Sequence, residues 1–171
     1  MIFTIGHSTR SFDELVGLLR ENGVGAVADV RTVPRSRTNP QFNAEIMPDA
    51  LGAHGVLYRH LAGLGGLRKR QVGPSPNGAW RNESFRNYAD YALTPPFRAG
   101  LEELRAIAAE RNVAIMCAEA VWWRCHRRII ADYLLAAGEP VRHILGPGHV
   151  ESARPTPGSV AMPDGGVTYP G

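Results

Sequence analysis

Lysine is almost missing from this chain, because Lys69 is the only lysine among 19 Lys and Arg residues. The positive charge is therefore carried by guanidinium groups, which bind carboxylates and phosphates with two parallel hydrogen bonds. The 16 acidic residues leave a formal net charge of +3. Two interpretations of the arginine excess remain open: an anionic ligand, or a GC-rich genome that encodes Arg in place of Lys.

Cysteine is also scarce, with two residues in 171. This number excludes a disulfide-rich secreted scaffold and favours a reducing compartment. No apolar run approaches the roughly 18 residues of a membrane span, so no membrane partner is expected. The first residues, MIFTIGHS, lack the length and flanks of a signal peptide. We therefore expect a cytoplasmic protein.

Internal repeats are absent, and the length of 171 residues is that of one domain. A chain of this size buries roughly 70% of its unfolded surface without help from a metal or a disulfide. Of the 26 residues in 146–171, 11 are Gly or Pro. We predict a single α/β domain over residues 1–145, followed by a Gly/Pro-rich, extended C-terminal tail over residues 146–171.

Short apolar segments alternate with amphipathic ones along the predicted domain. The strand Ile2–Gly6 is followed by Ser11 and Glu14 at the spacing of a capping box, and then by a helical pattern. A second strand at 24–30 completes a parallel βαβ unit. Further strands are predicted at 56–60, 113–117 and 141–145. The pattern predicts an α/β three-layer sandwich, with a mostly parallel sheet of about five strands and helices on both faces.

The segment 112–137 is the most informative part of the chain. It contains the apolar strand Val113–Cys117, an aromatic turn with Trp122 and Trp123, and a helical pattern from Arg124 onward. A helix that starts after a strand places its unpaired N–H groups at the carboxyl edge of the sheet, where the helix dipole attracts anions. We therefore expect a phosphate or sulfate near the amides of residues 124–127.

Parallel sheets bind ligands beyond the carboxyl ends of their strands. This rule gathers polar residues that follow different predicted strands: His7, Ser8, Asp29, Arg31, Cys117, Glu119, Cys125, His126 and Arg127. The loop after the second strand adds Arg35 and Arg37, which gives it more positive charge than a connector needs. This loop either binds an anion or is simply solvated.

Four of these residues are candidates for catalysis: Cys125, Glu119, His7 and His126. A thiol at the start of a helix, beside His126 and Arg127, is expected to favour its thiolate form. Glu119 suits a general base, or an ion-pair partner for an arginine. His7 suits an acid–base group, or a histidine that only holds its loop.

The remaining candidates are expected to bind an anionic substrate: Arg31, Arg35, Arg37, Arg127, Ser8, Asp29 and Cys117. Cys117 equally fits a small buried apolar residue, because it ends an apolar strand. Arg31 equally fits an inward ion pair with Asp29 or Glu119. No metal site is predicted, because Cys117, Cys125, His126 and His7 offer no close Cys-x-x-Cys pair, and the sequence identifies no cofactor.

Several motifs resemble the domain of unknown function 488 family in order and spacing: IGHSTRSFDELVGLL, ADVRTVPRSRTNPQFN, YRHLAGLGG, FRNYADY and MCAEAVWWRCHRRIIADYL. The resemblance runs from about Ile2 to Leu145. It implies an α/β domain with a polar site built from the family's pattern positions: Gly6, His7, Asp29, Arg31, Pro34, Ser36, Arg37, Phe42, Tyr58, Leu64, Gly65, Gly66, Cys117, Glu119, Cys125, His126 and Arg127. It implies no particular reaction. Ala120, Val121, Trp122 and Trp123 depart from the polar insert that the family usually has there.

Three classes of function fit these residues. The first is an enzyme that acts on a phosphate-bearing substrate, a nucleotide or a nucleic acid, with arginines for the anion and the Cys, Glu and His residues for chemistry. The second is a non-catalytic nucleotide or nucleic-acid binding module, and the third is a thiol-redox or metal-binding protein. Trp122 and Trp123 fit a buried lid, an oligomer contact or a stacking surface. The sequence predicts no oligomeric state.

Overall fold

The computed structural model describes all residues from 1 to 171. The strands are β1 (Ile2–Gly6), β2 (Ala26–Asp29), β3 (Leu57–His60), β4 (Val113–Cys117), β5 (Val141–Gly146), β6 (His149–Ser152), β7 (Val160–Ala161) and β8 (Val167–Thr168). The helices are α1 (Phe12–Glu21), α2 (Met47–Gly52), α3 (Glu83–Tyr91), α4 (Pro95–Glu110) and α5 (Arg127–Ala136). Three 3-10 turns cover Pro40–Phe42, Ala62–Leu64 and Trp122–Arg124. None of the helices is long and apolar enough to cross a lipid bilayer.

Six strands form one sheet in the order β3-β2-β4-β1-β5-β6. The first five are parallel, and β6 pairs with β5 in the antiparallel sense. The predicted α/β sandwich with a mostly parallel sheet is thus confirmed, with six strands rather than about five. The sixth strand lies beyond residue 145, where the sequence predicted no strand.

Alternation of side chains along the strands divides the core into two layers, one on each face of the sheet. In β4, Val113, Ile115 and Cys117 pack with α3, α4 and α5. Ala114 and Met116 pack on the opposite face with α1 and α2. Because both faces are covered, β4 is entirely buried, as the apolar run in the sequence predicted.

The strand order reverses at the centre of the sheet. β1 and β4 are neighbours, yet α1 follows β1 on one face and α5 follows β4 on the other. Two adjacent strands whose connections leave in opposite directions open a crevice above their carboxyl ends. The candidate site lies in this crevice.

The helix ends largely follow the local sequence signals. Ser11 Oγ accepts from Glu14 N at 3.0 Å, and Glu14 Oε1 accepts from Ser11 N at 2.9 Å, which confirms the capping box. Gly138, with φ of 81°, follows the end of α5 as predicted. The start of α5 differs from the prediction, because residues 122–124 form a 3-10 turn and the α-helix begins only at Arg127.

The C-terminal residues are packed on the domain, contrary to the expected extended tail. β6 extends the main sheet, and β7 and β8 form a hairpin. Val167 and Tyr169 belong to the core on the α5 side of the sheet. The Tyr169 hydroxyl donates to the buried Asp132 carboxylate at 2.7 Å. The Gly and Pro content predicted a lack of periodic structure but could not reveal these tertiary contacts.

Candidate functional site

A cleft of about 560 Å³ lies at the carboxyl edge of the sheet. Its walls come from the segments that follow β1, β2 and β4 and from the start of α3. The predicted residues that line it are His7, Arg31, Arg35, Cys117, Glu119, Cys125 and His126. The topology thus brings together residues that are more than 100 positions apart in the chain. Ser8, Asp29, Arg37 and Arg127 do not line this cleft.

The Cys125 sulfur is surrounded by hydrogen-bond donors. The backbone N–H and the Nε–H of Arg127 both point to Cys125 Sγ at 3.4 Å. His126 Nδ1 lies 3.4 Å from the same sulfur. The Cys117 thiol donates to the Glu119 carbonyl oxygen at 3.8 Å. The two N–H donors of Arg127 stabilise a sulfur that carries negative charge.

The surroundings of Arg127 also favour a thiolate at Cys125. Its side chain is only 1% exposed, and no carboxylate lies within ion-pair distance of it. The guanidinium donates to the Glu119 carbonyl oxygen at 2.6 Å and to Thr4 Oγ1 at 3.3 Å, which are both neutral acceptors. Because a buried charge without a counter-ion is costly, the thiolate of Cys125 is the natural counter-ion of Arg127.

The two cysteines differ in acidity. Burial alone raises the pKa of Cys125, but the neighbouring Cys117 thiol, His126 and the charge of Arg127 outweigh it. The pKa of Cys125 therefore lies well below its ordinary value. Burial and the neighbouring Cys125 sulfur raise the pKa of Cys117 well above its ordinary value. Cys117 is thus the neutral thiol and Cys125 the one that favours the thiolate.

His126 is oriented by a third group. Its Nε2 lies 2.7 Å from the Val30 carbonyl oxygen, so this nitrogen carries a proton and donates. Nδ1 is thereby turned toward Cys125. A nucleophile, a base within hydrogen-bond reach and a group that orients the base are the parts of a covalent catalytic centre. Gly66 permits this packing, because a Cβ there would lie 2.5 Å from His126 Nδ1.

Glu119 contributes two different groups. Its carbonyl oxygen accepts from Arg127 and lies against β1, where a Cβ on Gly6 would come within 1.9 Å of it. Its carboxylate is exposed, lines the cleft and forms no hydrogen bond or ion pair. The side chain is thus free to exchange a proton with a ligand, and the backbone holds Arg127 in place.

Asp29, Arg31 and Tyr58 form a buried network beneath the cleft. Arg31 binds both carboxylate oxygens of Asp29, at 2.9 and 2.7 Å, and also donates to the Phe42 carbonyl oxygen at 2.6 Å. The Tyr58 hydroxyl donates to Asp29 Oδ2 at 2.5 Å. Of the two roles considered for Arg31, the inward pair with Asp29 is the one observed, and it uses most of the guanidinium donors.

His7 is held by the same network. Its Nδ1 donates to the Ser8 carbonyl oxygen at 2.9 Å, and its Nε2 accepts from Arg31 Nη1 at 3.3 Å. Burial lowers the pKa of His7, and the charge of Arg31 lowers it further against the Ser8 hydrogen bond, which raises it. The ring also stacks on Phe42 at 4.5 Å. Both ring nitrogens are therefore occupied within the protein. Ser8 follows in a left-handed conformation, with φ of 47°.

The basic residues at the rim differ from Arg31 and Arg127 because they face solvent. Arg35 lines the cleft and pairs loosely with exposed Glu45 at 3.3 Å. Arg37 and Arg124 are exposed and form no hydrogen bond or ion pair through their side chains. The predicted anion cradle at residues 124–127 is mostly closed. The amides of Arg124 and Cys125 donate to backbone carbonyls and that of Arg127 donates to Cys125 Sγ, so only the His126 amide has no acceptor.

Thr4 and His143 join the site from β1 and β5, and no motif in the sequence singled them out. They face each other in the register of the two strands, and the Thr4 hydroxyl lies 2.7 Å from His143 Nδ1. Burial and then the charge of Arg127 lower the pKa of His143 to about 4. Trp122 stacks on this ring at 4.4 Å, whereas Trp123 is 43% exposed. The pairing of Thr4 with His143 depends on the strand order, which no local pattern reveals.

The cleft also contains residues that the sequence did not indicate as site residues. Half-buried Phe85 lines the cleft with Asn82 and Ser84, together with Tyr88, which is fully buried. In the sequence, Phe85 and Tyr88 stood only in the segment FRNYADY, and neither was a candidate site residue. No group of three or more His, Cys, Asp or Glu side chains is arranged to hold a metal ion.

The sequence matches one known protein family. Residues 11–134 match the family described as Domain of unknown function DUF488. Comparison with curated proteins and with solved structures gave no match. The matched residues include the basic loop after β2, the end of β4 and the Cys-His-Arg segment before α5. Since the match spans most of the chain, this protein belongs to the DUF488 family.

Proposed function

We propose that this protein is an enzyme that uses Cys125 as a nucleophile on a phosphate-bearing substrate, a nucleotide or a nucleic acid. The observation that carries the proposal is the Cys125 sulfur, which receives two hydrogen bonds from Arg127 and lies 3.4 Å from His126 Nδ1. A structural cysteine needs no such environment, whereas an attacking thiolate does. The sulfur also lies on the wall of the cleft.

The reaction that fits these groups is transfer or hydrolysis through a thio-intermediate. Cys125 Sγ attacks an electrophilic centre of the substrate, the sulfur bond forms, and the leaving group departs with its electron pair and a proton from His126. Glu119 then removes a proton from water or another acceptor, which attacks the same centre and releases the thiolate. Return of that proton from Glu119 to His126 completes the cycle.

The phosphate serves as a recognition group in this proposal. Arg35 and Arg124 bring exposed guanidinium groups to the cleft, and guanidinium groups bind phosphate well. An attack on phosphorus itself is disfavoured, because three of the four amides at residues 124–127 are already used: those of Arg124 and Cys125 by backbone carbonyls, and that of Arg127 by the sulfur. Half-buried Phe85 on the cleft wall offers a surface for a flat ring such as a nucleobase.

The test compares wild-type protein with the Cys125→Ser and Glu119→Gln variants on a pool of nucleotides and short oligonucleotides. Mass spectrometry detects products. We expect product formation by the wild type, a loss of at least about 1,000-fold for Cys125→Ser and a smaller loss for Glu119→Gln, with binding retained in both. Arg142→Ala, an exposed arginine near the amino end of β5, is the control. Unchanged turnover in Cys125→Ser would instead favour a non-catalytic binding module.

A further inference from the structure

A second groove lies beside the cleft, along the basic loop. This groove, of about 610 Å³, is lined by Arg35, Ser36, Arg37, Pro40 and Asn43. Arg35 and Ser36 line both spaces. Each space by itself has the size of a pocket for a small ligand, roughly 300–1,000 Å³. Because Arg35 and Ser36 border both spaces, a ligand that occupies both is longer than a single small molecule.

The second groove is polar, and its only charges are positive. No acidic residue lines it, and Pro40 is its one apolar side chain. Arg37 has no ion-pair partner, whereas Arg35 pairs with exposed Glu45 at 3.3 Å. The loop is nevertheless held in shape. Ser36 N donates to Asn43 Oδ1 at 2.7 Å, and Asn39 N donates to Ser36 Oγ at 3.0 Å. A shaped groove with two exposed guanidinium groups, of which that of Arg37 has no carboxylate partner, suits a chain of phosphates.

We propose that the substrate is a single strand of nucleic acid, with the reacting nucleotide in the cleft and the neighbouring phosphates in the second groove. This inference rests on the proposed function and narrows its substrate class. A mononucleotide would leave the second groove and Arg37 without a role. A strand would use Arg35 at the junction and Arg37 beyond it.

The depth of the reacting sulfur favours a single strand over a duplex. Cys125 is only 5% exposed, so a base must leave its stack to reach it, and unstacking costs least in a strand without a partner. Phe85 is available on the cleft wall for stacking, and its ring is itself held against Trp80 at 4.9 Å. Stacking of this kind tolerates many sequences.

The test measures binding of fluorescein-labelled 12-nucleotide DNA and RNA strands of mixed sequence by anisotropy, over a series of salt concentrations. We expect single strands to bind more tightly than the matching duplex. Arg37→Ala should weaken this binding by about five- to tenfold and reduce the salt slope by about 0.7 for each phosphate that is no longer neutralised. Arg142→Ala, a matched exposed arginine distant from the groove, should leave both unchanged. The tighter of the DNA and RNA complexes shows whether the preferred strand contains deoxyribose or ribose.

A second measurement separates this inference from the proposed function. Cys125 is alkylated with iodoacetamide in the presence of adenosine or uridine monophosphate, or of the 12-nucleotide strands. We expect the strands to protect Cys125 at concentrations well below those of the monophosphates. Equal protection by both, with no effect of Arg37→Ala, would overturn the single-strand inference and leave the proposed function in place. Absence of protection by any of these ligands would count against both.

Discussion

Cys125 and Cys117 are almost equally buried, at 5% and 3% exposure. A difference in their reactivity would therefore report their charge rather than their access to solvent. Cys125 accepts two hydrogen bonds from Arg127 and lies 3.4 Å from His126 Nδ1, whereas the Cys117 thiol donates to the Glu119 carbonyl oxygen. Burial and the neighbouring Cys125 sulfur raise the pKa of Cys117, whereas the groups around Cys125 lower its pKa.

We predict that iodoacetamide labels Cys125 faster than Cys117 at neutral pH. The rate at Cys125 should change little between about pH 6.5 and 8.5, because its thiolate is already formed, whereas an ordinary thiol with a pKa near 8.5 reacts about tenfold faster per pH unit below that value. Peptide mass spectrometry measures both rates. Cys125→Ser, which leaves only Cys117, is the control. Faster labelling of Cys117 in the wild type would reverse the assignment.

Arg31 and the pair Arg35 and Arg37 stand in the same loop but have different roles. Arg31 is 7% exposed and binds both oxygens of the fully buried Asp29. Arg35 and Arg37 face solvent. Position in the sequence alone does not separate these roles, whereas burial does.

We predict that Arg31→Ala lowers the free energy of unfolding by about 3–5 kcal/mol, because it leaves Asp29 buried without its partner. The double variant Arg35→Ala, Arg37→Ala should change stability by less than about 0.5 kcal/mol. Urea unfolding of the three proteins measures this difference. Equal losses in the two variants would show that the exposed arginines also hold the loop.

At the scale of the elements, the neighbouring strands β1 and β5 each contribute one buried polar side chain next to Arg127. The Thr4 hydroxyl lies between His143 Nδ1 and Arg127 Nη1. Because Arg127 donates to this oxygen, the Thr4 proton is directed to His143, which accepts it in its neutral form. Protonation of His143 would break this arrangement next to the buried charge of Arg127.

We predict that His143 makes the protein less stable in mild acid. Its ordinary pKa is 6.5 and its pKa in the folded protein is about 4. Above about pH 6.5 both states are neutral and the full stability is present. Between these values the unfolded chain takes up the proton first, so the free energy of unfolding falls by up to about 3 kcal/mol as the pH decreases through the folded pKa.

Urea unfolding at about pH 7 and pH 4.5 tests this prediction. The His143→Asn variant retains an acceptor for Thr4 but does not titrate, so it should lose less stability between the two pH values than the wild type. The matched control is His149→Asn, a change at an exposed histidine on the neighbouring strand β6. Identical pH dependence in the wild type and His143→Asn would contradict the prediction.

At the scale of the whole molecule, the C-terminal residues complete the domain. Asp132 of α5 accepts from Thr156 N at 2.8 Å and from the Tyr169 hydroxyl at 2.7 Å. Tyr169 also packs on Trp80 at 5.2 Å, beside the α3 wall of the cleft. The last residues of the chain thus support the element that carries the site.

We predict that Tyr169→Phe lowers the free energy of unfolding by about 1–3 kcal/mol, because it leaves a buried carboxylate oxygen of Asp132 without its donor. Tyr91→Phe is the control, since that hydroxyl donates to a neutral carbonyl, at Gly63. Thermal unfolding followed by circular dichroism measures both. A melting temperature equal to that of the wild type for Tyr169→Phe would mean that the C-terminal segment contributes little to the domain.

The amino-acid sequence by itself determined the alternation of strands and helices, the capping box of α1 and the polar residues at the carboxyl edge of the sheet. These features depend on neighbouring residues and on the general rule for parallel sheets, so a local pattern suffices to predict them. The tertiary structure decided which of these residues meet. The strand order placed Thr4 opposite His143, and burial separated Arg31 and Arg127 from the exposed arginines. Packing of residues 146–171 also depended on distant partners such as Asp132, because hydrogen bonds across the fold leave no periodic trace in the sequence.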